Sequence, residues 1–307
     1  MTAQAGPAAQ PLKAALWMAA SIVSFSAMAV AGRSLASELD TFETMLYRSL
    51  VGVVLVVAVC TARGLWPQVE TRRFRLHLMR NAFHFTGQNL WFFAITVAPL
   101  AQVFAVEFSS PLWVALAAPF FLKERLTLMR AFAALLGFVG ILVVARPTFT
   151  NIDPGLAAVA LAAMFFAATN ITTKVLTRDQ SIICIMFWLT VMQAVFGLIT
   201  SGFDGDITLP SLALWPWVFL VGSSGLFAHY CLTTALSLAP ATIVVPFDFM
   251  RLPVIAVVGM LVYNEALDIF VLIGAVIVFS ANYLNVWTDS RSRRRAAKNS
   301  TAQPKVV

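Results

Sequence analysis

Residues 94–126 read AITVAPLAQVFAVEFSSPLWVALAAPFFLKERL, and residues 235–267 read ALSLAPATIVVPFDFMRLPVIAVVGMLVYNEAL. Aligned without a gap at an offset of 141 residues, they share Ala94, Ala98, Pro99, Val103, Phe108, Glu124 and Leu126 with Ala235, Ala239, Pro240, Val244, Phe249, Glu265 and Leu267. The same offset keeps two charge signs, because Asp248 falls on Glu107 and Lys174 on Arg33. Repeated apolar halves are typical of secondary transporters, whose substrate site lies between the repeats near the middle of the membrane.

The composition indicates an integral membrane protein. Hydrophobic residues make up 60% of the 307, charged residues 11%, and the mean hydropathy is +0.84, which excludes an ordinary soluble domain. Lipid-facing backbone must satisfy its own hydrogen bonds, and no alternating strand pattern appears, so apolar segments of roughly 20 residues are predicted to be helices. The ten predicted helices cover 13–33, 41–61, 74–97, 100–122, 127–145, 154–176, 181–201, 211–238, 240–262 and 267–287.

The basic residues predict the orientation. With the N-terminus inside, 17 of the 21 lysines and arginines face the cytoplasm, including the cluster from Arg63 to Arg80 and the tail from Arg291. We therefore expect a multi-pass protein of a bacterial-type inner membrane with both termini cytoplasmic. Five helices per copy is an odd number, so the repeats are predicted to be inverted. The predicted units are a tail at 1–12, five-helix repeats at 13–147 and 148–288, and a basic tail at 289–307.

The repeated stretch resembles the EamA repeat of the drug/metabolite transporter superfamily. The resemblance rests on the Ala98-Pro99 and Ala239-Pro240 pairs, a proline-bearing fourth helix, and the loops Lys123-Glu124-Arg125-Leu126 and Asn264-Glu265-Ala266-Leu267. It covers about 13–287 and departs from the family where Lys123 and Asn264 replace a frequent glycine. The resemblance implies transport without selecting a substrate, because the superfamily carries amino acids, vitamins, nucleotide derivatives, amines and lipid-linked sugars.

Four ionisable residues lie inside the predicted spans: Arg48, Glu107, Asp248 and Arg251. Such residues cost at least ~2.5–3.5 kcal/mol on insertion scales and usually face protein or a wet cavity. Arg48 and Glu107 lie at one depth and can meet, and Asp248 and Arg251 are neighbours on one helix. Two interpretations stay open. The four form structural ion pairs, or they line a cavity that binds a zwitterion or carries a coupling proton.

Helix three carries a polar stripe on one face, formed by Asn81, His84, Gln88 and Trp91 at helical spacing. Single polar residues on such helices more often form interhelical hydrogen bonds, which is the alternative for each of them. Pro111, Pro119, Pro246 and Pro253 interrupt helices four and nine beside the membrane charges, which favours a site there. The predicted substrate-binding residues are Glu107, Asp248, Arg251, His84, Gln88, Trp91, Trp17, His229, Tyr230 and Arg48.

The motifs favour a transporter over an enzyme. No phosphate-binding loop and no HExxH, CxxC or GxSxG pattern occurs, and three scattered cysteines lack metal-ligand spacing, so we expect no cofactor or metal. The expected partners are a small molecule, zwitterionic or aromatic, the lipid bilayer, and protons if transport is proton-coupled, with no nucleic acid. Acid, base and aromatics in one cavity favour a secondary transporter that works by alternating access, with a preference for amino acid export, aromatic or neutral. The alternatives are uptake of a vitamin or nucleotide derivative of the riboflavin or S-adenosylmethionine type, or a non-transporting membrane enzyme or assembly subunit.

Overall fold

The computed structural model describes residues 11–122, 128–146, 153–176, 178–203, 205–238, 250–266 and 268–301. Over these ranges the regular structure is eleven α-helices and one short 3-10 turn, Trp66–Gln68, as the all-helical prediction requires. The α-helices are α1 Pro11–Leu35, α2 Thr41–Arg63, α3 Phe74–Val97, α4 Leu100–Glu107, α5 Ser110–Leu122, α6 Leu128–Ala145, α7 Pro154–Leu176, α8 Ile182–Ser201, α9 Trp215–Leu238, α10 Arg251–Tyr263 and α11 Ile269–Thr301. Asp248, Pro246 and the beginning of the predicted ninth helix lie outside the described residues.

The helices have the length and surface of membrane spans. Four are long and apolar enough to cross a bilayer, namely Leu12–Leu35, Thr41–Arg63, Pro154–Thr173 and Ile182–Ser201. Shorter apolar helices are Leu100–Val114, Ala131–Ala145, Arg251–Tyr263 and Ile269–Leu284. Large apolar side chains point outward, as Val54, Val195 and Leu198 show with 48–67% exposure, which suits contact with lipid rather than water.

The fourth predicted helix is two helices. α4 ends at Glu107 and α5 begins at Ser110, and the amide of Ser109 donates to the carbonyl of Val106 across the turn. Pro111 is the second residue of α5, where the missing N–H needs no partner. α5 then continues to Leu122 through the second proline. The interruption therefore lies just before Pro111, and the predicted second interruption at Pro119 does not break the helix.

The last helix is longer than predicted. α11 continues to Thr301, whereas the apolar segment ends at about 287 and the remainder is expected to be a polar tail. The added residues include alanines, arginines and a lysine, which are good helix formers, so the helix extends beyond the part that can lie in lipid.

The two halves repeat their helix positions. α2 and α8, α3 and α9, and α5 and α10 each begin 141 residues apart. The offset that aligns the sequence motifs therefore also aligns the starts of these helices.

The helices of the two halves pack reciprocally. α1 packs on α9 and α3 on α7, so the first helix of each half contacts the third helix of the other. α2 packs on α8 and α6 on α11, so the second and fifth helices meet their own counterparts, and α4 packs on α10. Exchanging the two halves leaves the contacts of the first, second, third and fifth helices unchanged, as in the isologous interface of a twofold dimer.

Two glycines allow the last helices of the halves to touch. A Cβ added at Gly140 of α6 would lie 2.9 Å from the carbonyl oxygen of Gly274 on α11, and one at Gly274 would lie 2.7 Å from the Gly140 carbonyl. No real Cβ approaches backbone so closely. Glycine at both positions thus lets the two backbones meet, a common way for membrane helices to pack.

The connecting segments meet at two opposite ends. The loop after α1 contacts the segment before α9, because the Glu38 carboxylate accepts hydrogen bonds from the amide and hydroxyl of Ser211 at 2.9 and 2.8 Å. These bonds hold the pKa of Glu38 below its ordinary value. The loop after α2 contacts the loop after α7, where Arg72 and Arg73 form ion pairs with Asp179 at 3.0 and 2.7 Å.

Candidate functional site

A buried charged pair joins the two halves. The carboxylate of Glu107 accepts a hydrogen bond from the indole N–H of Trp91 at 2.7 Å, and its other oxygen lies 3.4 Å from a guanidinium nitrogen of Arg251. Trp91 is 2% exposed and Arg251 5%. The three residues come from α3, α4 and α10, so the contact crosses from the first half to the second.

The helix ends explain why this pair forms. Glu107 is the last residue of α4, where the helix dipole disfavours an anion, and Arg251 is the first residue of α10, where it disfavours a cation. Because α4 packs on α10, the two misplaced charges compensate each other. Removing one partner of such a pair is more costly than replacing both.

Three phenylalanine rings surround the Arg251 guanidinium. Its central carbon lies 4.7 Å from the ring centroid of Phe25, 5.1 Å from that of Phe104 and 5.0 Å from that of Phe108. A cation over aromatic faces at these distances is attracted by the ring quadrupoles. The sequence offers one signal for this cage, since Phe108 recurs as Phe249, and none for Phe25 or Phe104.

Arg48 does not meet Glu107, contrary to the sequence prediction. α2 packs against α8 and α9, and the Arg48 guanidinium lies against Gly225 of α9. A Cβ added at Gly225 of α9 would lie 2.9 Å from its terminal nitrogen, so glycine makes room for it there. The hydrogen bond it makes is a weak one, 4.0 Å long, to the sulfur of Met45. Whether Asp248 neighbours Arg251, as predicted, falls outside the described residues.

Two histidines lie beside Arg48. The rings of His84 on α3 and His229 on α9 are 5.8 Å apart in an edge-to-face arrangement, and His229 lines a small cavity together with Arg48. The His84 ring is 3% exposed, and neither of its nitrogens has a hydrogen-bond partner in the described part of the chain. The complete lining of this cavity is Arg48, Ser49, Gly52, Leu189, Thr190, Gln193, Gly222, Leu226 and His229.

Arg80 belongs to this interior cluster rather than to the cytoplasmic surface. The sequence prediction counted it in the basic cluster of the loop, but it is the seventh residue of α3 and is 4% exposed. Its guanidinium donates to the side-chain oxygen of Asn81 at 2.7 Å and to the hydroxyl of Thr173 at 3.2 Å. Arg80 lies about 10 Å along α3 from the start of the helix. A count of basic residues along the sequence does not show this depth.

The predicted stripe of α3 is buried. Asn81, His84, Gln88 and Trp91 are 0–3% exposed and lie on the face that turns toward the other helices. Asn81 donates to the carbonyl of Trp188 at 3.2 Å, which is an interhelical structural bond. The stripe therefore links the cluster around Arg48 to the Glu107 pair at its other end.

Trp17 and Tyr230 lie apart from these clusters. Their rings pack edge to face at 5.8 Å between α1 and α9, and Tyr230 is 49% exposed. Trp17 also packs against the small buried group Ala14, Met18 and Ala235. Neither residue has a contact with Glu107 or Arg48 among the described residues, so their predicted place in the site has no support from this geometry.

Phe25 connects the two charged clusters. Its ring lies edge-on to His229 at 5.3 Å and under the Arg251 guanidinium at 4.7 Å. A larger cavity of about 250 Å³ lies between α5 and α6, where its lining is almost wholly apolar. The path from Arg48 through His229 and Phe25 to Arg251 has the chemistry to bind a charged aromatic molecule, whereas the larger cavity does not.

An ion pair closes one end of the bundle. Arg33 of α1 pairs with Glu265, which follows α10, and also donates to the carbonyls of Ile95 and Ala98. The second oxygen of Glu265 accepts the amide of Leu100 at 2.9 Å and so caps the N-terminus of α4. The Ala98-Pro99 pair and the loop glutamate Glu265, which carry the family resemblance, thus meet at Arg33. We call the Arg33–Glu265 ion pair a latch, because it holds the two halves together at this end.

Comparison with known proteins agrees with this architecture. The model of the EamA-like transporter family matches residues 12–146 and 153–287. A solved crystal structure that is 19% identical shares the fold, with a TM-score of 0.62 over 91% of this chain and 98% of its own.

Named relatives extend over nearly the whole chain. An S-adenosylmethionine uptake transporter of Rickettsia bellii is 28% identical over 90% of this chain and 94% of its own. A riboflavin transporter of Brucella anthropi is 30% identical over 81% of this chain and 89% of its own. Another riboflavin transporter, of Vibrio cholerae, is 25% identical over 92% of this chain and 96% of its own. The chain is a multi-pass membrane protein that belongs to the EamA-like transporter family.

Proposed function

We propose that this protein is a secondary transporter that takes up a small organic metabolite by alternating access. The observation that carries the proposal is the Glu107–Arg251 pair, which joins the two halves at the end of α4 and the beginning of α10. A contact between helix ends of two repeats breaks more readily than a continuous helix, and substrate sites of transporters are found at such places. Membership of the EamA-like transporter family supports the assignment.

The proposed substrate is of the S-adenosylmethionine or riboflavin type. Relatives named for these two activities match nearly the whole chain, which supports this alternative over the amino acid export that the sequence favours. Both molecules carry a flat heteroaromatic ring, and Trp91, Phe25 and Phe108 supply aromatic surface beside the charged pair.

We propose ten membrane spans in two inverted repeats, at 13–147 and 148–288, related by a pseudo-twofold axis in the membrane plane. The common offset of the helix boundaries and the reciprocal packing support this arrangement. The meeting of alternate connecting segments at opposite ends also supports it. The bias of the basic residues favours cytoplasmic termini in a bacterial inner membrane. Reporter fusions after Arg146 and after Lys298 test this, with the outside and the inside expected respectively.

Alternating access needs one latch at each end of the bundle. Arg33 and Glu265 close the end at which α1 and α3 terminate. The offset of 141 residues makes Lys174 and Glu124 their counterparts, and inversion of the repeats would carry that pair to the other end. We propose that the two pairs close in turn, with the Arg33 pair closed in the conformation described.

The proposed site follows the path between the latches. It comprises Arg48, His84, Gln88, His229, Trp91, Glu107 and Arg251, with Asp248 added from the sequence alone. Trp17 and Tyr230 are left out because they contact each other outside these clusters. A coupling proton carried by Glu107 or Asp248 remains part of the proposal.

Counterflow in proteoliposomes tests the proposal. Vesicles containing the full chain and loaded with unlabelled S-adenosylmethionine or riboflavin are expected to accumulate the corresponding labelled compound, whereas empty vesicles do not. The matched control is protein with Glu107→Gln and Arg251→Gln together, which removes both charges of the pair that joins the halves and is expected to be more stable than either single variant. Accumulation of neither compound would reject the proposed substrate class. Equal accumulation by the control would reject the proposed site.

A further inference from the structure

Arg48 is a buried cation without an anion of its own. The residue is 6% exposed, and no carboxylate in the described ranges lies within 4.0 Å of its guanidinium. Its Nε has no hydrogen-bond partner, and its one hydrogen bond goes to a methionine sulfur, a weak acceptor. Arg48 thus differs from Arg251, whose charge faces Glu107.

A second cation makes the environment of Arg48 more positive. Arg80 is also buried, and the carbonyl of the next residue, Asn81, accepts a hydrogen bond from Gln193, which lines the same cavity as Arg48. Arg80 uses its donors on Asn81 and Thr173, which are both neutral. The described residues therefore place two positive charges together without a negative one.

Unused hydrogen-bonding groups surround the same point. Both ring nitrogens of His84 and the side-chain oxygen of Gln193 are buried without partners among the described residues. The cavity that touches Arg48 also touches His229, Ser49 and Gln193. Gly225 leaves the guanidinium room to lie against α9. The cavity itself measures about 20 Å³, so in this conformation it has room for a group of about the size of one water molecule beside these side chains.

Burying a charge without a counter-charge is strongly unfavourable. Such a charge inside a membrane protein usually marks a site at which a substrate or ion binds. The planar fork of arginine matches the two oxygens of a carboxylate or phosphate. A histidine nitrogen supplies a further donor to the same group. An anionic group would neutralise the positive cluster and satisfy its donors together.

We infer that Arg48, together with His84 and His229, binds a carboxylate or phosphate group of the transported metabolite. The inference rests on the proposed transport function and narrows its substrate class. S-adenosylmethionine carries a carboxylate, whereas riboflavin carries no anionic group, so the cluster favours a substrate of the first kind. Arg80 acts as a positioning residue whose charge strengthens the attraction.

The test compares S-adenosylmethionine with its decarboxylated form, which differs only in the anionic group. Binding to the full chain in lipid nanodiscs is measured for the wild type, Arg48→Gln and Arg48→Lys. A charge-assisted bond contributes about 1.5–3 kcal/mol, so the wild type is expected to prefer the carboxylate form by about 10- to 100-fold. Arg48→Gln is expected to reduce the preference to less than threefold, and Arg48→Lys to an intermediate value.

Controls separate this inference from the transport function. Arg75→Gln removes an exposed cation at the start of α3 and is expected to leave the preference unchanged. If Arg48→Gln does not fold, Gly225→Ala, which crowds the guanidinium, is expected to reduce the preference instead. Equal binding of both compounds by the wild type, or uptake of riboflavin alone, would overturn the inference while transport stands. Transport of neither compound would overturn both.

Discussion

Two buried clusters of charge lie in the same helical bundle, and they are built differently. At the junction of α4 and α10, Glu107 and Arg251 neutralise each other and three rings surround the cation. Between α2, α3 and α9, Arg48 and Arg80 lie together, and the described residues provide no carboxylate for either. The first cluster is complete within the protein. For the second cluster, we infer that the transported metabolite brings the negative charge.

The stabilities of single variants should separate the two clusters. Arg251→Gln removes the guanidinium that faces the Glu107 carboxylate, so we expect the unfolding free energy to fall by about 3–5 kcal/mol. Arg48→Gln removes a charge that has no partner, so we expect stability to be unchanged or higher. Thermal unfolding of the purified proteins in detergent measures both.

A double variant sharpens that comparison. Glu107→Gln combined with Arg251→Gln removes both charges, so it is expected to be more stable than Arg251→Gln alone. Arg75→Gln serves as the exposed control and should match the wild type. Equal loss of stability in Arg48→Gln and Arg251→Gln would show that the clusters do not differ in this way.

Loss of the acidic charges should affect transport more than insertion. Glu107→Gln keeps the oxygen that accepts the Trp91 hydrogen bond but removes the attraction for Arg251, and Asp248→Asn is its matched counterpart in the other half. We expect at least one to insert normally while flux falls about 10- to 100-fold or loses its dependence on a pH gradient. Two well-folded, fully active variants would remove the carboxylates from the proposed site.

The proposed latches should shift the conformational balance in opposite directions. Arg33→Gln removes the ion pair with Glu265. If that pair stabilises the closed conformation by about 1–2 kcal/mol, the ratio of open to closed protein at that end should rise roughly 5- to 30-fold. Spin labels on cysteines introduced at Ser37 and Ala266, both exposed at that end, should report longer distances. Lys174→Gln should give shorter or unchanged distances, and lengthening in both variants would argue against alternate closure.

The smallest effect is expected at an exposed charge cluster. Arg73 and Arg72 hold the pKa of Asp179 below its ordinary value. Because the folded pKa is depressed, the contribution to stability is present above the unfolded pKa of about 3.9 and is lost as the pH falls through the lower folded value. Asp179→Asn should lower Tm slightly at pH 7, and this difference from the wild type should shrink as the pH falls below about 3.9. A difference in Tm that does not shrink with falling pH would point to packing instead.

Much of the fold follows from sequence because apolar length and an internal repeat constrain it together. The predicted segments 74–97 and 154–176 coincide with α3 and α7, where polar residues bound a long apolar run. The predicted interruption at Pro111 lies two to three residues earlier, at Phe108 and Ser109, because a proline is accommodated in the first turn of a helix.

The site was less predictable, because it depends on which helices face each other. Depth in the membrane suggested that Arg48 meets Glu107, but packing of α4 on α10 selects Arg251 instead. The sequence places Arg80 with the basic loop because it follows other arginines closely, whereas its position on α3 buries it. Nothing in the sequence marks Phe25 as a site residue, because it is one of 25 phenylalanines in an apolar chain.

A structure of the full chain with S-adenosylmethionine bound tests most directly the claim that the unpaired cluster receives the substrate. We expect the carboxylate of S-adenosylmethionine to lie within hydrogen-bond distance of the Arg48 guanidinium, with His84 or His229 as a second donor. We also expect the adenine ring to lie near Phe25 or Trp91. A ligand held in the apolar cavity between α5 and α6, or bound with its carboxylate away from Arg48, would contradict this claim.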